Sequence, residues 1–170
     1  MRTILVFMLY AISLSSCLKK EDPLYYQTID QTILDGGSKK TWSAAQVHVF
    51  FYAELPDTLL LTSSNDSTIN EQIAFKNDHS IQFQEKLAKL LDVPTIVKYS
   101  TDKKKGFKYL FINDDQNIRW EIDKYWPSDE RQKEAVMFYS HLIPYGKWND
   151  AEYGIIRTLY RCWIKLIPTN

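Results

Sequence analysis

Alternation of apolar and polar residues, the pattern of a strand with one buried face, is clearest at residues 118–122 (IRWEI). The preceding segment 107–112 is rich in aromatic and apolar residues. The linker 113–117 between them contains Asn and Asp, which tolerate left-handed backbone and suit the end of a hairpin. The pattern therefore predicts a β-hairpin.

The same criteria predict further strands in the first half of the chain. A second hairpin joins residues 73–75 to residues 81–84 through a polar linker, and the second of these strands alternates Ile81 and Phe83 with glutamines. The other predicted features are a strand at 46–52, a break at Pro56-Asp57, a short strand at 59–62 and a polar loop at 63–67.

Two segments favour helix. Residues 85–91 consist largely of good helix formers, and Asp92-Val93-Pro94 should end that helix. Residues 128–130 (SDE) resemble a helix N-cap with an acidic first turn, and apolar residues follow at helical spacing over 135–142.

The segment 155–167 fits both periodicities. As a strand it places alternate residues from Ile156 to Leu166 on one face, with basic residues on the other. As a helix it forms an apolar stripe, preceded by Asn149-x-x-Glu152, which resembles a capping box. Its β-branched and aromatic content favours the strand.

The N-terminal residues 1–16 have the pattern of a secretory signal peptide, with one Arg, an apolar run and small residues at the end. The apolar run is shorter than the roughly 20 residues that a bilayer requires. The tetrad LSSC ending at Cys17 resembles the lipobox of bacterial lipoproteins, in which a diacylglycerol is attached to the cysteine. We expect Cys17 to be the lipidation site, residues 17–32 to be the lipidated Cys and tether, and residues 33–170 to form a single domain.

Composition indicates a folded domain without an obvious affinity for nucleic acid. Hydrophobic residues make up 45% and charged residues 25% of the chain, and the formal net charge is zero. The chain has two cysteines, so lipidation of Cys17 leaves Cys162 without a partner, and we expect Cys162 to be a buried small apolar residue.

The lipobox, the polar tether, the segment 36–42 (GGSKKTW) and the hairpins resemble the small lipocalin-like lipoproteins common in Bacteroidetes. In that family the Trp of the opening segment closes the barrel floor. The resemblance implies a mostly β fold, a lipocalin-like antiparallel meander or barrel with one or two short helices, and a lipid-anchored location in the cell envelope at the outer membrane. His79 stands where the family usually has Gly, and helix-favouring stretches interrupt the meander, so an α+β fold is the alternative.

Motifs that would indicate catalysis or a cofactor do not occur in the sequence. It contains no nucleotide-binding glycine loop, GxSxG, HExxH or CxxC pair. His48, His79 and His141 stand in different segments without further ligands at metal-binding spacing. We therefore expect no enzymatic activity, no cofactor and no metal site.

The high aromatic content is the sequence feature that points to a function, since the chain has 11 Tyr, 8 Phe and 5 Trp. They could line an apolar cavity in a barrel, or they could fill an ordinary core. We expect a membrane-anchored binder of a small apolar ligand; the alternative is a surface interaction or accessory module of an envelope complex with a filled core. Trp42 and Trp120 are expected in the core. The residues predicted to contact a ligand are Phe50, Tyr52, Tyr109, Trp120 and Tyr160.

Overall fold

The computed structural model describes residues 29–67, 69–128 and 133–169. The signal peptide and Cys17 lie outside these residues. Residues 29–32, which the sequence assigns to the tether, belong to the folded part. Ile29 is buried, and the Asp30 carboxylate accepts a hydrogen bond from the Ile33 N–H at 3.2 Å, which caps the first helix.

Strands and two short helices make up most of this part of the chain. The helices are α1 (Gln31–Asp35) and α2 (Glu85–Leu90). The strands are β1 (Lys39–Leu55), β2 (Thr58–Ser67), β3 (Gln72–Lys76), β4 (Ser80–Phe83), β5 (Ile96–Thr101), β6 (Tyr109–Ile112), β7 (Asp115–Trp126), β8 (Ala135–Tyr139), β9 (Ile143–Asp150) and β10 (Gly154–Pro168).

Eight of these strands form a closed antiparallel barrel, in the order β1-β3-β4-β5-β6-β7-β8-β10. The barrel closes because β10 pairs with β1 along a ladder that runs from Trp42↔Pro168 to Glu54↔Arg157. The fold is therefore mostly β with two short helices, consistent with the predicted lipocalin-like barrel, and the α+β alternative does not hold.

The two longest strands continue past the mouth of the barrel. Strand β1 pairs with β3 over residues 39–43 and with β2 over residues 47–55. Strand β10 pairs with β8 over residues 163–166 and with β9 over residues 154–160. The far halves of β1 and β10, flanked by β2 and β9, thus form a four-stranded sheet that extends one side of the barrel wall.

Large side chains fill the interior of the barrel. Trp42 and Trp120 are both 0% exposed, as predicted for core residues. The Trp42 indole N–H donates a hydrogen bond to the Leu34 carbonyl at 2.8 Å and so ties α1 to the barrel. The other large side chains without accessible surface include Phe75, Ile73, Ile81, Leu87, Leu91, Leu110 and Phe138. A side chain with no accessible surface leaves no room for a water molecule against it, so this part of the interior is packed.

The structure confirms both predicted hairpins, helix α2 and the strand over residues 155–167. The β6–β7 turn is shorter than predicted. Asn113 and Asp114 have φ of 52° and 58° and make a two-residue turn, so β7 already begins at Asp115.

The predicted helix over residues 135–142 is wrong, because Ala135–Tyr139 is strand β8. It pairs with β7 on one side and β10 on the other, and four of its five residues are buried. A fully buried strand has no polar face, so its apolar run also matches a helical stripe, and pairing on both sides decides the outcome. The proposed N-cap lies largely outside the described residues.

The predicted polar loop at 63–67 is also wrong, because these residues belong to strand β2 and pair with Val47–Phe51 of β1. Strand β2 is an edge strand with exposed side chains, and such a strand accepts polar residues that a buried strand would not.

Candidate ligand-binding cleft

A bulge in β1 determines which of its side chains reach the barrel interior. Trp42 faces inward, but the register against β10 shifts at Ala45, which has no partner there. One extra residue moves every later side chain to the opposite face. Val49 is therefore buried and Phe51 packs against the core, whereas Phe50 faces outward.

Three aromatic rings meet where the interior face of β1 leaves the barrel. The ring centroid of Phe51 lies 5.5 Å from that of Tyr145 and 6.1 Å from that of Tyr160, and the two tyrosine centroids are 6.1 Å apart. Both contacts of Tyr145 are edge-to-face, a favoured arrangement of aromatic pairs. Tyr145 is 70% exposed, so this aromatic cluster joins the packed core to the solvent.

The aromatic cluster forms one wall of a cleft of about 570 Å³ at the barrel mouth. Small-molecule sites typically have volumes of roughly 300–1,000 Å³. The cleft opens between the extended sheet and α2. Its remaining lining residues are Val49, Asn65, Asp66, Ile69, Lys86, Lys89 and Leu90.

A hydrogen bond from Tyr160 fixes the position of the aromatic wall of the cleft relative to α2. The phenol donates to the Leu90 carbonyl at 2.7 Å, at the C-terminal end of α2, and so ties the helix to the sheet. Burial raises the pKa of Tyr160 to about 12. The phenol therefore remains a neutral hydrogen-bond donor over the physiological pH range.

The polar rim of the cleft carries more positive than negative charge. Lys86 and Lys89 project from α2, and neither has an ion-pair partner within the described residues. The one carboxylate of the rim, Asp66, already contacts the Nδ1 atom of His48. The two ammonium groups thus remain available to a polar or anionic end of a ligand.

Of the five residues predicted to contact a ligand, only Tyr160 lines this cleft. Trp120 also faces the interior, but it is fully buried between Phe83 and Phe138, at centroid distances of 5.6 Å and 6.0 Å. Its indole N–H has no hydrogen-bond partner in the described structure.

The other three predicted residues lie on the outer face of the barrel wall. The Phe50 ring is 6.5 Å from Tyr139, and the Tyr109 ring lies 5.0 Å from the Arg119 guanidinium. Tyr52 pairs with Leu159 on the same outer face as Phe50. The structure therefore does not bring the five residues together in one cavity.

Sequence reasoning missed Phe51 and Tyr145. Counted in steps of two from Trp42, the interior positions of β1 would include Phe50 and Tyr52, and only the bulge reverses this order. Tyr145 also lies at a bulge, where the register between β9 and β10 shifts. The Pro and Gly residues that flank Tyr145 are the local sequence signal of irregular backbone.

The outer wall of the barrel carries an ion-pair group formed by Glu121, Lys108 and Arg161. The Glu121 carboxylate accepts hydrogen bonds from Lys108 at 2.9 Å and Arg161 at 3.2 Å. The hydrogen bond from Lys108 is the main cause that lowers the pKa of Glu121. Glu121 is thus held ionised by two cations. Within the described residues no group of three or more His, Cys, Asp or Glu side chains could hold a metal ion.

Comparison of the chain with protein-family models, with curated proteins and with solved structures finds no match. In the described part of the chain, no helix has the length and hydropathy needed to cross a bilayer.

Proposed function

We propose that the protein is a lipid-anchored, non-enzymatic binding protein of the cell envelope and that it takes up a small apolar ligand at the barrel mouth. The observation that carries this proposal is the cleft beside Phe51, Tyr145 and Tyr160. Because the barrel interior is packed around Trp42 and Trp120, the ligand lies against the aromatic cluster and not deep in the barrel.

The cleft offers apolar surface that is already ordered. Rings that pack against each other and against the core lose little side-chain freedom when a ligand arrives, which lowers the cost of binding. Burial of apolar ligand surface contributes roughly 25 cal/mol per Å². A polar end of the ligand would face Lys86 and Lys89 at the rim.

The anchor in this proposal is Cys17, and the lipobox pattern at residues 14–17 supports it. Two or three acyl chains on one cysteine hold a protein at a membrane far more firmly than a single chain does. The eight-stranded barrel is consistent with membership of the small lipocalin-like lipoproteins, from which we infer placement at the outer membrane.

The test compares two exposed tyrosines in the anchor-free protein (residues 18–170), after near-UV circular dichroism has verified its native fold. Tyr145 lies in the cleft and is 70% exposed, whereas Tyr153 lies in the β9–β10 turn and is 47% exposed. An uncharged environment-sensitive naphthylamine dye should bind the wild type and be displaced by a fatty acid. Tyr145→Ala should weaken dye binding about fivefold, equivalent to roughly 1 kcal/mol of lost apolar contact.

Tyr153→Ala should bind the dye as the wild type does. Dye uptake only after partial unfolding, or an equal loss in both variants, would contradict the proposal.

A second candidate function is an interaction module of an envelope complex. The observation that favours it is the exposure of apolar side chains on the extended sheet, which include Leu60, Leu61 and Ile155 at 53%, 53% and 66%. A protein that binds no dye in its native state but retains these surfaces would fit this second function.

A further inference from the structure

The edge strand β2 presents an unpaired backbone edge beside a run of leucines. One side of β2 pairs with β1, and in the described structure no strand pairs with the other side. Leu59, Leu60 and Leu61 are 39%, 53% and 53% exposed. An open edge with three consecutive exposed leucines favours pairing with another strand.

Side chains that normally protect an edge strand are missing from residues 58–62 (TLLLT), and the one bulge of the strand falls at the last of these residues. This segment contains no Lys, no Pro and no charged side chain. Its register against β1 shifts only at Thr62, at the end of the leucine run. The leucine run itself is therefore regular and free to pair.

The segment 58–62 reads the same in both directions around Leu60. An antiparallel pair of identical strands is related by a two-fold axis, and such an interface must be self-complementary. An axis at Leu60 would place Thr58 opposite the partner's Thr62 and Leu59 opposite the partner's Leu61. We propose that β2 pairs in this register with β2 of a second copy of the protein.

The backbone geometry of β2 fits this register. Leu55 and Thr58 close the two-residue turn between β1 and β2, so the N–H and C=O of Thr58 point toward β1. Those of Leu60 point the same way, and those of Leu59 and Leu61 point to the open edge. Leu59 and the partner's Leu61 then exchange hydrogen bonds. The two Leu60 residues face each other on the axis as a non-hydrogen-bonded pair.

The result is a continuous sheet across two copies, in which the extended sheets join through their β2 edges. Pairing removes the open edge and covers leucine side chains from both copies. This dimer goes beyond the ligand site, because none of the five residues in the segment 58–62 lines the cleft.

Disulfide trapping in the full-length protein, produced in cells and oxidised in its membranes, tests the register. Residues in a non-hydrogen-bonded antiparallel pair have Cα atoms about 4.5 Å apart, within the range of roughly 4.4–6.8 Å that a disulfide spans. Leu60→Cys should therefore yield a covalent dimer at about twice the mass of the monomer band of the unmodified protein. The unmodified protein gives the background from its own two cysteines.

Two variants are controls. In the proposed register the two copies of residue 58 lie about 13 Å apart along the sheet, so Thr58→Cys should not cross-link. Ile96, at the start of β5, is 60% exposed and thus as accessible as Leu60. Ile96→Cys should give at least fivefold less dimer than Leu60→Cys.

Sedimentation velocity of the detergent-solubilised protein provides a second measurement. The wild type should sediment as a dimer, and Leu60→Lys, which places two ammonium groups on the axis, should sediment as a folded monomer. Equal cross-linking of Leu60→Cys with either control, a cross-link to a different protein, or a monomeric wild type would each overturn the proposal.

Discussion

Trp42 and Phe51 face the same interior although they stand at positions of opposite parity in one strand. The bulge at Ala45 makes this possible, because it inserts one residue into β1 relative to β10. Before the bulge, β1 contributes Trp42 to the packed core. After the bulge, it contributes Phe51 to the aromatic wall of the cleft. One extra residue thus aligns the core with the candidate site.

The two adjacent phenylalanines of β1 should therefore differ in their effect on stability. Phe51 packs against the core and two aromatic rings, whereas Phe50 lies on the outer face near Tyr139. Phe51→Ala should lower the free energy of unfolding by about 2 kcal/mol, and Phe50→Ala by less than about 1 kcal/mol. Urea unfolding midpoints measure the difference, and an equal loss would show that the bulge does not set the inner face.

The two core tryptophans should respond differently to replacement by phenylalanine. Both variants lose similar volume, but Trp42→Phe also leaves the buried Leu34 carbonyl without its donor. Such a loss costs about 1–3 kcal/mol. Trp120→Phe removes an indole N–H that has no partner in the described structure. Trp42→Phe should thus be the more destabilising change in urea, and the reverse order would contradict this assignment of the hydrogen bond.

Much of the barrel could be predicted from the sequence, because a strand with one buried and one exposed face shows a period of two. The β7 segment 118–122 and strand β4 (Ser80–Phe83) are examples, and Trp42 and Trp120 were correctly expected in the core. Strand β8 could not be predicted in this way. It is buried on both faces and pairs on both sides, so its residues show no alternation.

The candidate site was harder to predict than the fold. A bulge depends on how two strands pair. The residue types around Ala45 do not indicate which residue of β1 will lack a partner in β10. The pairing of β1 with β10 alone decides that Phe51 faces the interior and Phe50 faces outward. The cleft also requires α2, which meets β10 through the hydrogen bond from Tyr160 to Leu90, across a long separation in sequence.

His79 lies in the β3–β4 turn with φ of 60°, a left-handed conformation that favours glycine. His79→Gly and His79→Ala both lose the ring contact with Tyr99, at a centroid distance of 5.5 Å. The alanine variant keeps the backbone strain, so it should be less stable than the glycine variant by about 1 kcal/mol. Thermal unfolding of the pair measures this, and equal stability would show that the turn is unstrained.

Asp78 in the same turn should contribute to the dependence of stability on pH. Hydrogen bonds from Ser80 and Lys98 lower the pKa of Asp78 from 3.8 to about 2. A carboxyl group with a lowered pKa in the folded state stabilises the fold above its unfolded pKa, and this contribution is lost as the pH falls through the folded value. Asp78→Asn should thus be less stable than the wild type at pH 5, and the gap should narrow between about pH 4 and pH 2. Asp57→Asn, in the exposed β1–β2 turn, is the control, and a gap that stays constant on acidification would refute the linkage.

The two cysteines of the chain offer a matched test of the proposed anchor. Formation of the thioether needs the sulfur of Cys17, so Cys17→Ala should abolish incorporation of a fatty-acid analogue supplied to the cells. Cys162 is fully buried, and burial raises the pKa of its thiol to about 12, so it is a poor nucleophile. Cys162→Ala should accordingly retain the label while lowering the free energy of unfolding by about 1 kcal/mol, because it leaves a small cavity in the core. Undiminished label in Cys17→Ala, or loss of label in a folded Cys162→Ala variant, would exclude Cys17 as the site of acylation.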